Sequence, residues 1–249
     1  MNNRILWGIL GTGKIAHQFA AALRHLPGAE LGAVGSRSSD SAQRFADEFG
    51  IPRRYGSYAE LVNDPQIEVI YVATPHSCHA GNSRLALNAG KAVLCEKPFT
   101  INVAQARDVI GLARERKLFL MEAMWTRCFP LMDKLRWLLA SGAIGEARQL
   151  TADFGFRAGH RDEPRLFGPE FGGGALLDVG VYPVSMASLL FGPPTRIVSA
   201  ANLGATGVDE EAAMILTHRG GELAVLHTAI RLDTAQEAII TGTQGRIRI

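Results

Sequence analysis

Lys97 closes the short apolar run Ala92-Val93-Leu94-Cys95-Glu96 and stands directly before Pro98. An ammonium held there can polarise a substrate oxygen or steady a developing negative charge. The proline keeps Lys97 out of helical geometry, so the run reads as a strand that ends in a rigid turn. Asp178 and Tyr182 are four residues apart, which on a continuous helix puts a carboxylate and a phenol on one face. Gly11-Thr12-Gly13-Lys14-Ile15-Ala16 is a glycine turn of the kind that lets a phosphate approach the backbone. Thr74-Pro75-His76-Ser77-Cys78-His79 adds a proline-set turn with two histidines. Each group has an ordinary alternative: a solvated lysine, a capping aspartate, a packed tyrosine, a histidine that bonds the start of a helix. The elements around them decide between the readings.

From residue 4 to about 122, short apolar runs alternate with amphipathic stretches. Strands are expected at Ile5 to Leu10, Leu31 to Gly35, Val69 to Ala73, Ala92 to Cys95 and Phe119 to Met121. Helical periodicity fills Ile15 to Leu26, Ser41 to Phe49, Ser83 to Ala89 and Val103 to Arg116. Strands spaced by helices predict a parallel, doubly wound sheet with right-handed crossovers over residues 1–122. Residues 123–249 read as an α+β domain with a large, mainly antiparallel sheet. It has a helix from Leu131 to Ala140 and strands at Ala147 to Phe156, Arg196 to Leu203, Ala212 to Thr217, Leu223 to Ala229 and Ala238 to Thr241. Gly172-Gly173-Gly174 precedes a helical stretch from Ala175 to Leu190, and Pro183 inside it is expected to kink or restart the helix.

This frame puts the glycine turn between the first strand and the first helix. Gly11 permits the turn, Gly13 leaves the backbone open to a pyrophosphate, and Ala16 keeps the helix close to the sheet. The helix N-terminus then offers unpaired N–H groups to the phosphates, so a dinucleotide is the expected ligand. The second strand ends in Gly35-Ser36-Arg37 rather than in an acidic residue. A hydroxyl at Ser36 and a guanidinium at Arg37 suit a 2′-phosphate, so NADP is expected over NAD, with NAD remaining acceptable if Arg37 only stacks on the adenine.

The 249 residues are 47% hydrophobic, and 26 basic side chains nearly balance 24 acidic ones without a block of like charge. Neither nucleic acid nor an anionic membrane is an expected partner. Cys78, Cys95 and Cys128 match no metal or disulfide framework, and the N-terminus resembles neither a signal peptide nor a membrane span. The expectation is a cytoplasmic protein without a metal.

Together, Gly11 to Ala16, Thr74-Pro75 with His79, Glu96-Lys97-Pro98, and Asp178 with a partner four residues on resemble the family of glucose-fructose oxidoreductase and inositol dehydrogenase over essentially the whole chain. In many members that partner is a histidine; here it is Tyr182. The runs Ala92 to Pro98, Leu118 to Arg127 and Gly172 to Tyr182 look similar to the branch of dimeric dihydrodiol dehydrogenase and NADP-dependent xylose dehydrogenases. The resemblance implies cofactor contacts from Gly11 to Ala16 and from Ser36, Arg37, Thr74, Pro75, His79, Glu96 and Lys97. It implies a lysine-tyrosine pair, Lys97 and Tyr182, aided by Asp178, and a substrate pocket with Trp125, Phe154 and Arg127. The substrate would be a small-molecule sugar or cyclic diol. A phenol with a reference pKa of about 10 needs a neighbouring ammonium to act as a base near neutrality. The resemblance also implies a homodimer through the open sheet face. Family members run on past the position matching Ile249, so the chain is expected to be truncated within its second sheet. The competing expectation is a dinucleotide-binding regulator without turnover, which would have no need of Lys97, Asp178 and Tyr182 together.

Overall fold

Apolar runs rich in Val, Ile and Leu are buried on both faces when helices cover a parallel sheet. The computed structural model, which describes residues 4–159 and 163–249, has this arrangement in the first of two units, Met1–Ala123 and Met124–Ile249. In chain order the first unit holds β1 (Ile5–Leu10), α1 (Lys14–Leu23), β2 (Ala29–Gly35), α2 (Ser39–Phe49), β3 (Arg53–Tyr55), α3 (Tyr58–Val62), β4 (Val69–Val72), α4 (His79–Asn88), β5 (Ala92–Glu96), α5 (Val103–Glu115) and β6 (Leu120–Ala123). The six strands run parallel in the order β3-β2-β1-β4-β5-β6. Alternate residues divide between the two faces. Leu10, Ile70, Val72 and Val93 enter one core cluster, and Ile9, Val34 and Tyr71 enter the other.

The strand order reverses between β1 and β4, the place where doubly wound sheets bind ligands at the carboxyl ends of their strands. The turns after β1, β2, β4 and β5 carry Gly11, Ser36, Thr74 and Lys97, so this topology gathers them along one sheet edge.

Two elements have no counterpart in the sequence pattern. β3 is three residues with two arginines, held by parallel pairing to β2 and by an ion pair from Arg53 Nε to Asp64 at 2.9 Å. α3 is one short turn started by Ser57, whose hydroxyl accepts the Glu60 N–H. β6 begins one residue later than expected and extends to Ala123, which brings Glu122 into the strand.

The second unit comprises α6 (Pro130–Ala140), β7 (Ala147–Gly155), α7 (Pro164–Phe167), α8 (Val181–Phe191), β8 (Arg196–Leu203), β9 (Asp209–Thr217), β10 (Leu223–Ala229), β11 (Ala238–Gly242) and β12 (Arg246–Arg248). Its sheet order is β12-β11-β7-β10-β9-β8, with β7 and β10 parallel and the other ladders antiparallel. Leu150, Ala152, Met214, Leu216, Leu226 and Ile240 point from one face into a core shared with Met132 and Leu135 of α6 and Ala187 of α8. The opposite face carries a cross-strand row, Val198, Ile215, Val225, Thr151 and Ile239, set by the ladder registers. Val198 and Ile215 are exposed there.

The kink or restart expected at Pro183 takes the form of a π-helical turn followed by a new α-helix from Val181. Pro183 lies in the first turn of α8, where a missing N–H is tolerated. The irregularity falls just before it, as a π-helical turn over Leu176–Gly180. Gly172 and Gly174 have positive φ, and a side chain at Gly174 would run into the Asp209 carboxylate. That carboxylate accepts the Leu176 N–H at 2.7 Å and so holds the start of the π turn. Burial raises the Asp209 pKa, opposed by its backbone hydrogen bonds. Pro169–Phe191 has the length and apolar composition of a membrane span, but its glycine turn interrupts the helix and its later half packs on the second sheet.

Candidate active site

The dinucleotide turn is built as its glycines require. Gly11 has φ +104, and a Cβ there would meet the Ala73 carbonyl oxygen at 2.6 Å. A Cβ at Gly13 would meet no atom within 4 Å, so the bare backbone faces open approach at the head of α1. Gly13 caps α1 without a side-chain acceptor, and the first turn holds no acidic residue. Its first N–H groups are therefore left open to an external anion, and the turn fits the pyrophosphate of a dinucleotide. Thr12, Lys14 and Ile15 are on the outer side of this turn, and Ala16 is fully buried against the sheet.

At the end of β2, Ser36 is buried and its hydroxyl accepts the Ser38 N–H at 3.3 Å. Ser38 caps α2 by accepting the Ser41 N–H. Arg37 is exposed and its charge acts on the Tyr58 phenol, whose pKa is raised by burial in spite of the guanidinium. A hydroxyl, a guanidinium and a helix start thus adjoin where a ribose 2′ group is bound in this topology.

The Lys97 turn is held almost entirely by side chains. The Lys97–Pro98 bond is cis. Glu96, buried at the end of β5, accepts the Lys97 N–H at 3.1 Å, and the Tyr71 hydroxyl donates to the same carboxylate. Burial raises the Glu96 pKa, against the lowering effect of Tyr71 and of the Lys97 N–H and ammonium. Burial likewise raises the Tyr71 phenol, reinforced by the Glu96 charge. Glu122 of β6 accepts the Phe99 N–H at 2.9 Å, and the Cys95 thiol faces the Phe99 carbonyl at 3.7 Å. Burial pushes the Cys95 thiol up to about 12.

His79 is fully buried at the start of α4, with Nδ1 at 2.7 Å from the Pro98 carbonyl and Nε2 at 2.8 Å from that of Thr74. A neutral ring can donate to one of these carbonyls; the imidazolium can donate to both. His79 thus ties the Thr74-Pro75 turn to the Lys97-Pro98 turn. The Thr74 hydroxyl accepts from Asn82 of α4 at 3.0 Å, which further fixes the first of the two.

In the second unit, Asp178 is buried in the π turn and pairs with Arg165 of α7 at 3.1 Å. Tyr182 follows in the first turn of α8, with the Phe154 ring at 5.2 Å and the Trp125 ring edge-on at 5.8 Å. The Trp125 indole N–H donates to the Tyr182 hydroxyl at 2.9 Å. Arg127 is engaged by Ser185, through Nε to the hydroxyl at 2.7 Å and Nη2 to the carbonyl at 2.9 Å. The structure thus brings Trp125, Phe154 and Tyr182 together, and turns the Arg127 guanidinium onto α8.

Sequence reasoning missed Tyr71, Asn82, Glu122, Arg165 and Ser185. Glu122 carried a signal, a carboxylate inside the apolar run Phe119 to Ala123. The others are set by contacts between distant segments.

Residues 5–124 match the family described as "Oxidoreductase family, NAD-binding Rossmann fold" (GFO/IDH/MocA), and residues 132–248 match the GFO/IDH/MocA C-terminal domain. The chain belongs to the GFO/IDH/MocA oxidoreductase family. It is similar to trans-1,2-dihydrobenzene-1,2-diol dehydrogenase of Mus musculus, with 41% identity over 247 residues, 98% of this chain and 74% of the relative. The human enzyme of that name is 40% identical over 98% of this chain and 73% of its own. Among solved structures, a 3-ketoreductase from Actinomadura kijaniata in complex with NADP and TDP-benzene superposes with a TM-score of 0.93 at 32% identity, covering 99% of this chain and 76% of that one. As a GFO/IDH/MocA member with these relatives, the protein is an NAD(P)-dependent dehydrogenase acting on CH–OH groups.

Proposed function

We propose that the protein catalyses reversible hydride transfer between NADP and a secondary alcohol or hemiacetal carbon of a cyclic diol or a xylose-type sugar. The observation that carries this reading is the Lys97 turn, fixed on both sides at the carboxyl edge of the sheet that also holds the dinucleotide turn. The dihydrodiol dehydrogenase relatives and the 3-ketoreductase neighbour support a ring with hydroxyl or keto groups as substrate. Arg37 and Ser36 in place of an acidic residue support NADP over NAD.

The nicotinamide supplies the hydride chemistry, and the chain must orient the carbon and manage one proton. Tyr182 takes the hydroxyl proton in oxidation and returns it in reduction. Lys97 polarises the substrate oxygen and steadies the charge that develops on it. Asp178, held by Arg165, orients the group it faces, and Trp125 and Phe154 offer aromatic surface to the ring.

A homodimer is supported by the apolar row Val198, Ile215, Val225 on the face of the second sheet opposite its core. A cytoplasmic location fits the three free cysteines, since thiols persist in reducing compartments.

The test is NADPH consumption or NADP reduction followed over time with a panel of cyclic trans-diols, aldoses and their oxidised forms. Turnover with a diol or pentose supports the reading. NADPH binding without turnover by any member of the panel would favour a dinucleotide-binding regulator instead.

A further inference from the structure

We propose that Trp125 is a positioning residue for the proton step, its indole N–H stabilising the Tyr182 phenolate and directing the phenol proton away from itself. The inference rests on the reading of Tyr182 as the proton-handling group, and gives Trp125 a task beyond that of an aromatic wall.

An indole nitrogen only donates, so in the 2.9 Å bond between Trp125 Nε1 and Tyr182 the phenol oxygen is the acceptor. The Tyr182 O–H therefore points elsewhere. When Tyr182 ionises, the same bond becomes charge-assisted and strengthens. A hydrogen bond that is stronger to the charged form favours that form.

The donor is aimed by its surroundings. Trp125 opens a short 3-10 turn, Trp125–Cys128, and Phe129 at its end packs edge-on against the indole at 4.9 Å. Arg127 of the same turn clamps Ser185 through two hydrogen bonds. Ser185 lies three residues after Tyr182 and so neighbours it on the surface of α8. The clamp and the indole bond thus fasten one turn to one stretch of helix at two points, and Phe154 closes the other side of the phenol at 5.2 Å.

Four titratable groups on the surrounding elements have partners of their own. Asp178 of the π turn is paired with Arg165 of α7, and Arg127 with Ser185. Asp153 of β7 accepts the Gln236 N–H, and Asp209 of β9 the Leu176 N–H. Glu210 and Glu211 of β9 and His227 of β10 stand on the same sheet.

Trp125→Phe keeps the aromatic surface and removes the N–H. In the oxidation direction it is expected to move the rising limb of the kcat profile up by about one pH unit, lowering the rate roughly tenfold at fixed pH on that limb. The KM for NADP should be unchanged. Arg127→Met leaves the indole intact but releases its aim, and should shift the limb the same way. Profiles of both variants that superimpose on the wild type would overturn the inference. Tyr182→Phe separates the two levels of the argument. Persistence of the limb in that variant would remove the proton role from Tyr182 and overturn the underlying reading with it. Loss of the limb there, with no shift in Trp125→Phe or Arg127→Met, would overturn only the role of Trp125.

Discussion

The Glu122 carboxylate accepts the backbone N–H of Phe99 at 2.9 Å, on the far side of the turn whose near side is held by Glu96. Two carboxylates from neighbouring strands thus fix the backbone on either side of Lys97-Pro98. Glu122→Ala should lower kcat roughly tenfold or more with little change in NADP affinity, because small displacements of a catalytic group are costly. Glu122→Gln keeps an acceptor oxygen and should stay near wild type. Steady-state kinetics of both variants check this, and equal losses in the two would point to charge rather than position.

Removing the ammonium isolates its contribution. Lys97→Met is expected to lower kcat by about 100-fold or more, the usual effect of deleting a donor that stabilises developing charge. NADPH binding, followed by fluorescence, should persist. A near-normal kcat would take Lys97 out of the chemistry.

Cofactor choice is expected to rest on the exposed guanidinium after β2. Arg37→Leu should raise the KM for NADP about tenfold or more, with little effect on NAD, since the lost partner is a charge-assisted one. Competing KM values for the two cofactors measure this, and an unchanged ratio would mean that Arg37 does not read the 2′ group.

Burial raises the Glu96 pKa above the reference value of 4.5. A carboxyl whose pKa is higher in the folded state makes folding less favourable as pH rises through that value, because the folded protein holds the proton more tightly than the unfolded chain. Wild-type stability should therefore fall relative to Glu96→Gln from about pH 4.5 upward, levelling off above the folded pKa. Melting temperatures of the pair across pH 4 to 8 give the sign, and a constant difference would contradict it.

Thiol reactivity should follow burial. Cys128 is exposed and Cys95 is buried with its thiol pushed up to about 12. Only the thiolate attacks, so at neutral pH a thiol reagent should label Cys128 quickly and Cys95 only on unfolding. Mass mapping of the labelled peptides distinguishes them.

Much of the first unit was legible because parallel strands buried on both faces leave continuous apolar runs, as in Ile5–Leu10 and Val69–Val72. Lys97 and the glycine turn could be placed for the same reason, each being local to the end of one strand. β3 is not legible because three residues carry no period, and Pro183 marks an irregular helix without specifying that the irregularity is a π turn.

What the residues determined alone is the local chemistry: a phosphate-admitting turn, an ammonium before a proline, a carboxylate and a phenol four positions apart. The tertiary structure decided which groups meet. Tyr71 reaches Glu96 across 25 positions, Trp125 reaches Tyr182 across 57, and Arg127 reaches Ser185 across 58. A hydrogen bond depends on distance and angle to within a few tenths of an ångström. Spacing along a chain carries no such information between segments whose relative position is set only by packing.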